Sequence, residues 1–200
     1  QSYPNRPIRM IVPFAPDGYT ISFTSSALVI NPALYKNIAY DPVRDFSPVT
    51  LATLIPFILV VHPSLPVSTV RELISYAGSR KGQLSYASSG TGNATHLSMA
   101  LFEKMAKIDM VHVPYKGTGQ GIIDVIAGHV QLMFGAIPST MPQVRAGKLK
   151  LLAVSSARRS AVLPDTPTVA AAGLPKYELT SWYAALTPAG TPPVIVTRLN

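Results

Sequence analysis

The chain has 200 residues, of which 48% are hydrophobic and 13% are charged. This composition supports a buried core in one domain or two small lobes, and it excludes extended disorder. Cysteine is absent, which excludes disulfides, thiolate metal sites and a cysteine nucleophile.

The net charge of +8 is dispersed along the chain. Lysines and arginines are adjacent only at Arg80-Lys81 and Arg158-Arg159, and no basic run carries interleaved aromatic residues. We therefore expect no nucleic-acid partner. A scattered positive field is instead suited to steering small anions.

The ends and apolar runs of the chain bear on its location. No apolar run reaches the roughly 18 residues that a membrane helix needs, so we expect no direct membrane insertion. The opening residues, Gln1-Ser2-Tyr3-Pro4, suit a mature end left after a signal peptide is removed.

Short apolar runs rich in β-formers recur along the chain and are often followed by turn residues and a helix. We predict strands over 7–14, 19–24, 49–61 with a break at Pro56, 84–87, 110–113, 130–134 and 149–154. Strands that alternate with helices predict parallel βαβ units and an α/β fold class.

Helix boundaries are marked by capping residues. Thr69 and Glu72 form a capping box, and Asn93 can cap a helix that carries an apolar stripe of Leu97, Leu101, Met105 and Ile108. Two shorter helices are predicted over 121–127 and 141–146, each ended by a glycine.

The best candidate for a binding site is the glycine-rich segment between the strand at 84–87 and the Asn93 helix. Backbone N–H groups, hydroxyls and the positive helix end together favour an anion cradle without a fixed charge. A plain turn with an N-cap is an equally good interpretation. The candidate ligand-binding residues are Ser88, Ser89, Gly90, Thr91, Gly92, Asn93 and His96.

Several well-known reactive patterns are missing. The cradle lacks both GxxxxGK[ST] and GxGxxG, and the chain has no GxSxG, no HExxH and no close carboxylate pair on one element. Its four histidines, at 62, 96, 112 and 129, share no metal-ligand spacing. We expect structural or surface imidazoles, with better odds of a ligand role for His96, and neither metal nor cofactor.

A second strand-to-helix junction lies at 112–117. Tyr115 and Lys116 follow a predicted strand, at the edge where α/β sheets bind ligands, and Lys116 could offset ligand charge. A solvated lysine beside a packed tyrosine is at least as good an interpretation.

These motifs together resemble a known family, the substrate-binding components of tripartite tricarboxylate transporters, or Bug proteins. The matching segments occur in family order over nearly the whole chain. They include YPNRPIRMIVPFAP (3–16), PDGYTISFTSS (16–26), YDPVRDFSPVTL (40–51), LSYASSGTGNATHL (84–97), VHVPYKG (111–117) and LPDTPTVAAAGLPKYELTSWYAALTPAGTP (163–192).

The resemblance implies a two-lobed type II periplasmic binding protein fold with a central ligand cleft. Lobe one would comprise 1–56 and 164–200, and lobe two 57–163. Family members continue from the VPFxP strand into a PGG-type loop, whereas here Phe14-Ala15-Pro16 runs directly into Asp17-Gly18. Members also extend past PAGTP with further helices. We therefore expect weaker folding and binding from the chain as it stands.

The resemblance also implies further ligand-binding residues beside the cradle. In the family, a PGG-type loop of the first lobe and an SSGxG-type turn of the second hold the ligand carboxylate. Carried onto this chain, the additional contacts are Phe14, Thr24, Ser25, Ser26, Tyr115, Lys116, Gly135 and Ala136.

The expected function is non-enzymatic capture of a small organic anion, a carboxylate, by a periplasmic monomer that passes it to the membrane subunits of a transporter. One alternative is a module that presents the ligand to a signalling sensor. Another is an enzyme in which His96 activates a hydroxyl of Ser88 or Ser89, although no third group is visible to orient that histidine.

Overall fold

A computed structural model describes Pro16 and residues 19–200. The predicted strand over 7–14 and the candidate Phe14 lie outside these residues. Contacts divide the chain into two units, one formed by residues up to Leu54 with Trp182–Asn200 and the other by Ile55–Ser181. Residues 164–181, which the resemblance assigns to lobe one, fall in the second unit.

Strands and helices alternate along the described residues. The strands are β1 (Ser22–Ser25), β2 (Phe46–Val61), β3 (Ser85–Ser88), β4 (Val111–Pro114), β5 (Leu132–Ala136), β6 (Lys150–Val154) and β7 (Thr180–Pro188). The helices are α1 (Ala27–Leu34), α2 (Val70–Gly78), α3 (Ala94–Ala106), α4 (Thr118–Ile126), α5 (Ile137–Arg145), α6 (Val169–Ala172) and α7 (Pro193–Leu199). Among the helices described, none combines the length and the apolar character needed to cross a membrane.

The strand pairing is mixed. The hydrogen-bonded order is β1-β7-β2-β5-β3-β4, with β6 on β2. Strand β3 is parallel to β4 and β5, as the βαβ pattern predicts, but β2 is antiparallel to β5 and β6. The expectation of parallel units therefore holds for the three strands that α3 and α4 connect, and it does not hold for β2 with β5 and β6.

The core of the second unit surrounds the second half of β2. Residues 57–61 are buried, and four of the five are fully inaccessible. Against them pack Phe102, Phe134 and Tyr177, whose rings lie between 5.9 and 6.3 Å apart. Burial of such aromatic side chains supplies a large share of a core's stabilisation.

The predicted break at Pro56 does not occur. Strand β2 runs through this residue, and its pairing with β5 begins one residue later, at Phe57. A proline in a strand costs a ladder hydrogen bond only where its missing N–H would be used. Because the β2–β5 ladder begins after Pro56, the missing N–H of this residue costs that ladder no hydrogen bond. The sequence pattern alone could not show this.

The capping box at the start of α2 is confirmed, although the Glu72 carboxylate bonds to the amide of Ser68 and not to that of the N-cap residue Thr69. The Thr69 hydroxyl accepts from the Glu72 amide at 3.1 Å, and the Glu72 carboxylate accepts from the Ser68 amide at 2.6 Å. Both bonds satisfy N–H groups that a helix start otherwise leaves unpaired.

We expect Thr69→Ala to lower the free energy of unfolding by about 1 kcal/mol, because the Glu72 amide loses its acceptor. Urea denaturation measures the change. The matched variant Thr69→Ser keeps an acceptor oxygen and should lose clearly less. Equal losses in the two variants would mean that the threonine methyl, not the cap, matters.

The buried stripe of α3 differs from the prediction. Asn93 does cap the helix, since its side chain accepts from the Ala94 amide at 2.7 Å. The buried face, however, consists of Ala94, Thr95, Ser98, Met99 and Phe102. The large residues Leu97, Leu101 and Met105 are only partly buried, whereas Ile108, the fourth residue of the predicted stripe, is buried.

The first unit has a smaller core. Strand β1 pairs with β7 in an antiparallel ladder from Ser22↔Leu186 to Ser25↔Tyr183. Leu28, Phe46, Ala184 and Leu186 form the buried cluster. The amide of Ala189 donates to the carbonyl of Asp45 at 3.0 Å, which ties the chain beyond β7 to the residue before β2.

Candidate anion-binding turn

The turn 88–96 lies at the carboxyl edge of three parallel strands. It begins at the end of β3, where Ser88 is paired with Pro114 at the end of β4. The Tyr115 amide donates to the Ser88 carbonyl at 3.0 Å, so the second predicted junction lies directly beside the first. Open α/β sheets bind ligands at this edge.

Two glycines give the turn its shape. Gly90 has φ +133° and Gly92 has φ +77°, a region that residues with a Cβ seldom adopt. Gly92 leads into Asn93, whose extended backbone and capping side chain begin α3. The sequence pattern of a glycine-rich entry to a helix is therefore confirmed as local structure.

Most amides of the turn are not bare, contrary to the simple cradle interpretation. Side chains of the turn itself accept from four of them. The pairs are Ser89 N to Thr95 Oγ1 at 2.9 Å, Gly90 N to Ser88 Oγ at 3.2 Å, Gly92 N to His96 Nδ1 at 3.1 Å and Ala94 N to Asn93 Oδ1 at 2.7 Å.

Three backbone amides of the turn have no acceptor among the described residues. Within the described part of the chain, the N–H groups of Thr91, Thr95 and His96 have no hydrogen-bond acceptor. The last two belong to the first turn of α3, where amides lack partners in the helix and the helix dipole is positive. The internal bonds fix the backbone in advance, which reduces the entropic cost of capturing an anion.

Sequence reasoning missed His112 as part of this turn. Its Nε2 lies 2.6 Å from the Ser88 hydroxyl. Its ring stacks on His96 with centroids 4.1 Å apart and on Tyr86 with centroids 5.0 Å apart. The sequence offers one hint. His112 is the second residue of β4 and Tyr86 is the second residue of β3, so parallel pairing of the two strands places them side by side.

Both imidazoles are held in the neutral form. Burial lowers the pKa of His112 to about 4, with a further contribution from neighbouring His96. Burial also lowers the pKa of His96. The turn therefore presents hydroxyls, amides and neutral rings, and no formal charge, to a ligand.

The Tyr115 hydroxyl is engaged elsewhere. It donates to Asp124 of α4 at 2.6 Å, and burial together with this carboxylate raises its pKa to about 12. Lys116 is exposed. This geometry corresponds to a packed tyrosine beside a solvated lysine.

Gly135 and Ala136 end the neighbouring strand β5 and lead into α5. Ala136 pairs with Phe57 of β2, and Gly135 is buried. A Cβ on Gly135 would lie 2.2 Å from the Thr140 hydroxyl oxygen. Thr24 and Ser25 end β1, and Ser26 precedes α1 in the first unit.

The enzymatic alternative is not supported by the geometry. The imidazole beside Ser88 belongs to His112 and not to His96, and Ser88 is fully buried. The Ser89 hydroxyl pairs with Thr95 at 2.8 Å. In the described residues, no group of three or more His, Asp or Glu side chains is arranged to hold a metal ion.

These features define an α/β ligand-binding protein whose turn offers amides and not reactive groups. The chain belongs to the tripartite tricarboxylate transporter family receptors (TctC), whose sequence profile matches residues 6–200. This confirms the resemblance, the α/β fold class and the expectation that the family consists of receptors and not enzymes.

The relatives include proteins with carboxylates bound. The chain is 38% identical to a UPF0065 protein from Pseudomonas sp. (strain P51), over 92% of this chain and 55% of the relative. Rpa4515 of R. palustris, solved with adipate, has a TM-score of 0.82 at 40% identity, covering 93% of this chain and 62% of that one. MatC of Rhodopseudomonas palustris, solved with bound malate, has a TM-score of 0.75 at 33% identity, covering 93% and 64%.

The chain covers only part of the length of the relatives named above. It spans 55% of the Pseudomonas protein and less than two thirds of both solved structures. The activity of the whole protein therefore belongs to the proposals that follow.

Proposed function

We propose that this protein is an extracytoplasmic solute-binding protein that captures a small carboxylate for a tripartite tricarboxylate-type transporter. The observation that carries the proposal is the set of unpaired amides of Thr91, Thr95 and His96 on a turn whose other amides are already fixed. It catalyses no reaction in this role.

The physical basis is charge-assisted hydrogen bonding. A carboxylate oxygen at the start of α3 would accept from N–H groups that otherwise need water, and it would meet the positive end of a 13-residue helix. Each bond to a charged acceptor contributes about 1.5–3 kcal/mol. The net charge of +8 would draw anions toward the protein at low ionic strength.

Aliphatic dicarboxylates are the ligand class that we favour. Adipate and malate, found with two relatives, both carry two carboxylates on a short chain. We assign the amides of Thr91, Thr95 and His96 to one carboxylate, and Ser88, Ser89, Gly90, Gly92 and Asn93 stay predicted contacts of the same turn. Phe14, Thr24, Ser25, Ser26, Tyr115, Lys116, Gly135 and Ala136 stay predicted ligand contacts.

The location and partners follow from the same proposal. A receptor of this family would work in the periplasm as a monomer and deliver its ligand to the membrane subunits of the transporter. The family description, a transporter family receptor, supports this assignment.

Isothermal titration calorimetry on the protein purified without refolding tests the proposal. We expect binding of adipate or malate and no binding of adipamide, the neutral diamide, since it offers no charged acceptor to the amides. Heat of equal size with adipamide, or no heat with any mono-, di- or tricarboxylate, would contradict the proposed function.

A further inference from the structure

Three stacked aromatic rings link the binding turn to the core of the second unit. Tyr86 of β3 packs against His112 of β4, and His112 packs against His96 of α3, with ring planes inclined by 19° and 17°. Tyr86 is buried in the main core. The stack therefore connects the core of the second unit to the first turn of α3.

The hydrogen bonds at the two histidines determine where their protons lie. The Gly92 amide donates to Nδ1 of His96, so this nitrogen is unprotonated and the ring carries its proton on Nε2. The Ser88 oxygen accepts from the Gly90 amide. In the arrangement that the NMR experiment below tests, the Ser88 hydroxyl donates its own proton to Nε2 of His112, and His112 carries its ring proton on Nδ1.

Each imidazole thus accepts one hydrogen bond from the turn, and each must be neutral to do so. A proton added to Nδ1 of His96 would face the Gly92 N–H, leaving two donors opposed. A proton added to Nε2 of His112 would leave the buried Ser88 hydroxyl proton without this acceptor. Two charged rings with centroids 4.1 Å apart would also repel each other.

We propose that His96 and His112 are positioning residues that hold the binding turn in its capture geometry only while both rings are neutral. One consequence of this inference, weaker carboxylate capture in acid, rests on the proposed function. The structural part of the inference, the link between the two rings and the amides of Gly90 and Gly92, stands independently of any ligand.

The surroundings of the pair contain few other titratable groups. From β3 the pair faces Tyr86, which hydrogen-bonds to Glu103 of α3, and Asp109 acts on Glu103. His112 of β4 and His96 of α3 face each other. Burial raises the pKa of Glu103.

The direction of the pH effect follows from the lowered pKa values. The ordinary pKa of a histidine is 6.5, and that of His112 falls to about 4 in the folded protein. The folded state therefore binds fewer protons than the unfolded state between these values. Stability from the neutral pair is fully present above about pH 6.5 and is lost as the pH falls toward about 4.

Long-range proton–nitrogen NMR on the ligand-free protein tests the positioning directly. We expect the Nε2–H form for His96, the Nδ1–H form for His112, and a single acid transition shared by the ring signals and the amide signals of Gly90 and Gly92. The opposite tautomer at either ring, or ring titration that leaves both amide signals unmoved, would overturn the inference.

Paired variants separate a positioning role from a packing role. His96→Asn and His112→Gln place an acceptor near the lost ring nitrogen, whereas His96→Leu and His112→Leu do not. We expect the acceptor variants to keep the Gly92 and Gly90 amide shifts closer to those of the unchanged protein than the leucine variants do. His129→Asn, at an exposed site, serves as the control. Equal shifts for acceptor and leucine variants would refute the inference.

Adipate binding is compared as the ratio of two Kd values measured at the same pH, because adipate itself takes up protons in acid. We expect the Kd for adipate of the unchanged protein, divided by that of His96→Asn, to rise about fivefold from neutral pH to the pH at which the His96 ring signals have titrated in the NMR experiment, as one turn hydrogen bond is lost. A constant ratio would contradict control by His96. Absence of adipate binding at neutral pH would instead count against adipate as the ligand and leave the NMR test intact.

Discussion

Replacing Gly92 by valine should abolish carboxylate capture. The residue has φ +77°, where a β-branched side chain is strongly disfavoured, so the backbone must leave this conformation. The Gly92 amide then loses its hydrogen bond to His96, and the neighbouring amides of Thr91 and Thr95 change position with the backbone. We expect adipate affinity to fall by a factor of about 100, from the loss of one or two charge-assisted bonds.

Gly82→Val provides the matched control for this experiment. Gly82 has φ +68° and no atoms close to its missing Cβ, and it precedes β3, whereas Gly92 follows it. The two variants share the same kind of backbone strain, and both should be less stable. Only Gly92→Val should lose affinity in calorimetry at a temperature where both are folded. Equal affinity loss in the two would place the ligand away from the turn.

The second large effect is expected at Gly135. A Cβ there would lie 2.2 Å from the Thr140 hydroxyl oxygen and 3.1 Å from Thr140 Cβ, inside a fully buried environment. We expect Gly135→Ala to lower the free energy of unfolding by about 3 kcal/mol, because β5 and α5 must move apart. Urea denaturation followed by circular dichroism measures the loss.

A double-mutant cycle identifies the cause of that loss. Within the described residues, the Thr140 hydroxyl has no hydrogen-bond partner, so Thr140→Ala forfeits no such bond and removes the nearest clash. Gly135→Ala combined with Thr140→Ala should therefore be clearly more stable than Gly135→Ala alone. Gly119→Ala, with open space around its Cβ, should be neutral or stabilising. Additive losses at 135 and 140 would show that this contact is not responsible.

Local signals in the sequence predicted the scaffold of the site well. The strand before the turn, the cap at Asn93 and the capping box at Thr69 all follow from short-range chemistry that needs few partners. Strand β3 was placed within one residue of its observed bounds. The α/β class followed from the alternation of apolar runs and helices, and the family from segments in fixed order.

Long-range pairing limited the rest. Ser88 meets His112 across 24 positions of sequence, and only the register of β3 against β4 brings them together. The sequence also could not show which amides of the turn are paired, since the Thr95 and His96 side chains accept from the Ser89 and Gly92 amides. The buried face of α3 differs from the apolar stripe that the sequence predicts, since the small residues Ser98 and Thr95 are buried, and burial of small polar residues leaves no apolar signal in the pattern.

The route of the chain has a consequence for biosynthesis. The second unit, Ile55–Ser181, is one uninterrupted stretch, but the first unit takes β1 from the early chain and most of β7 from the late chain. As the chain emerges from its amino end, the larger unit can therefore be completed while Ser22–Ser25 still lacks its partner strand. Until Trp182 and the residues after it emerge, the early segment remains exposed to chaperones, proteases and neighbouring chains.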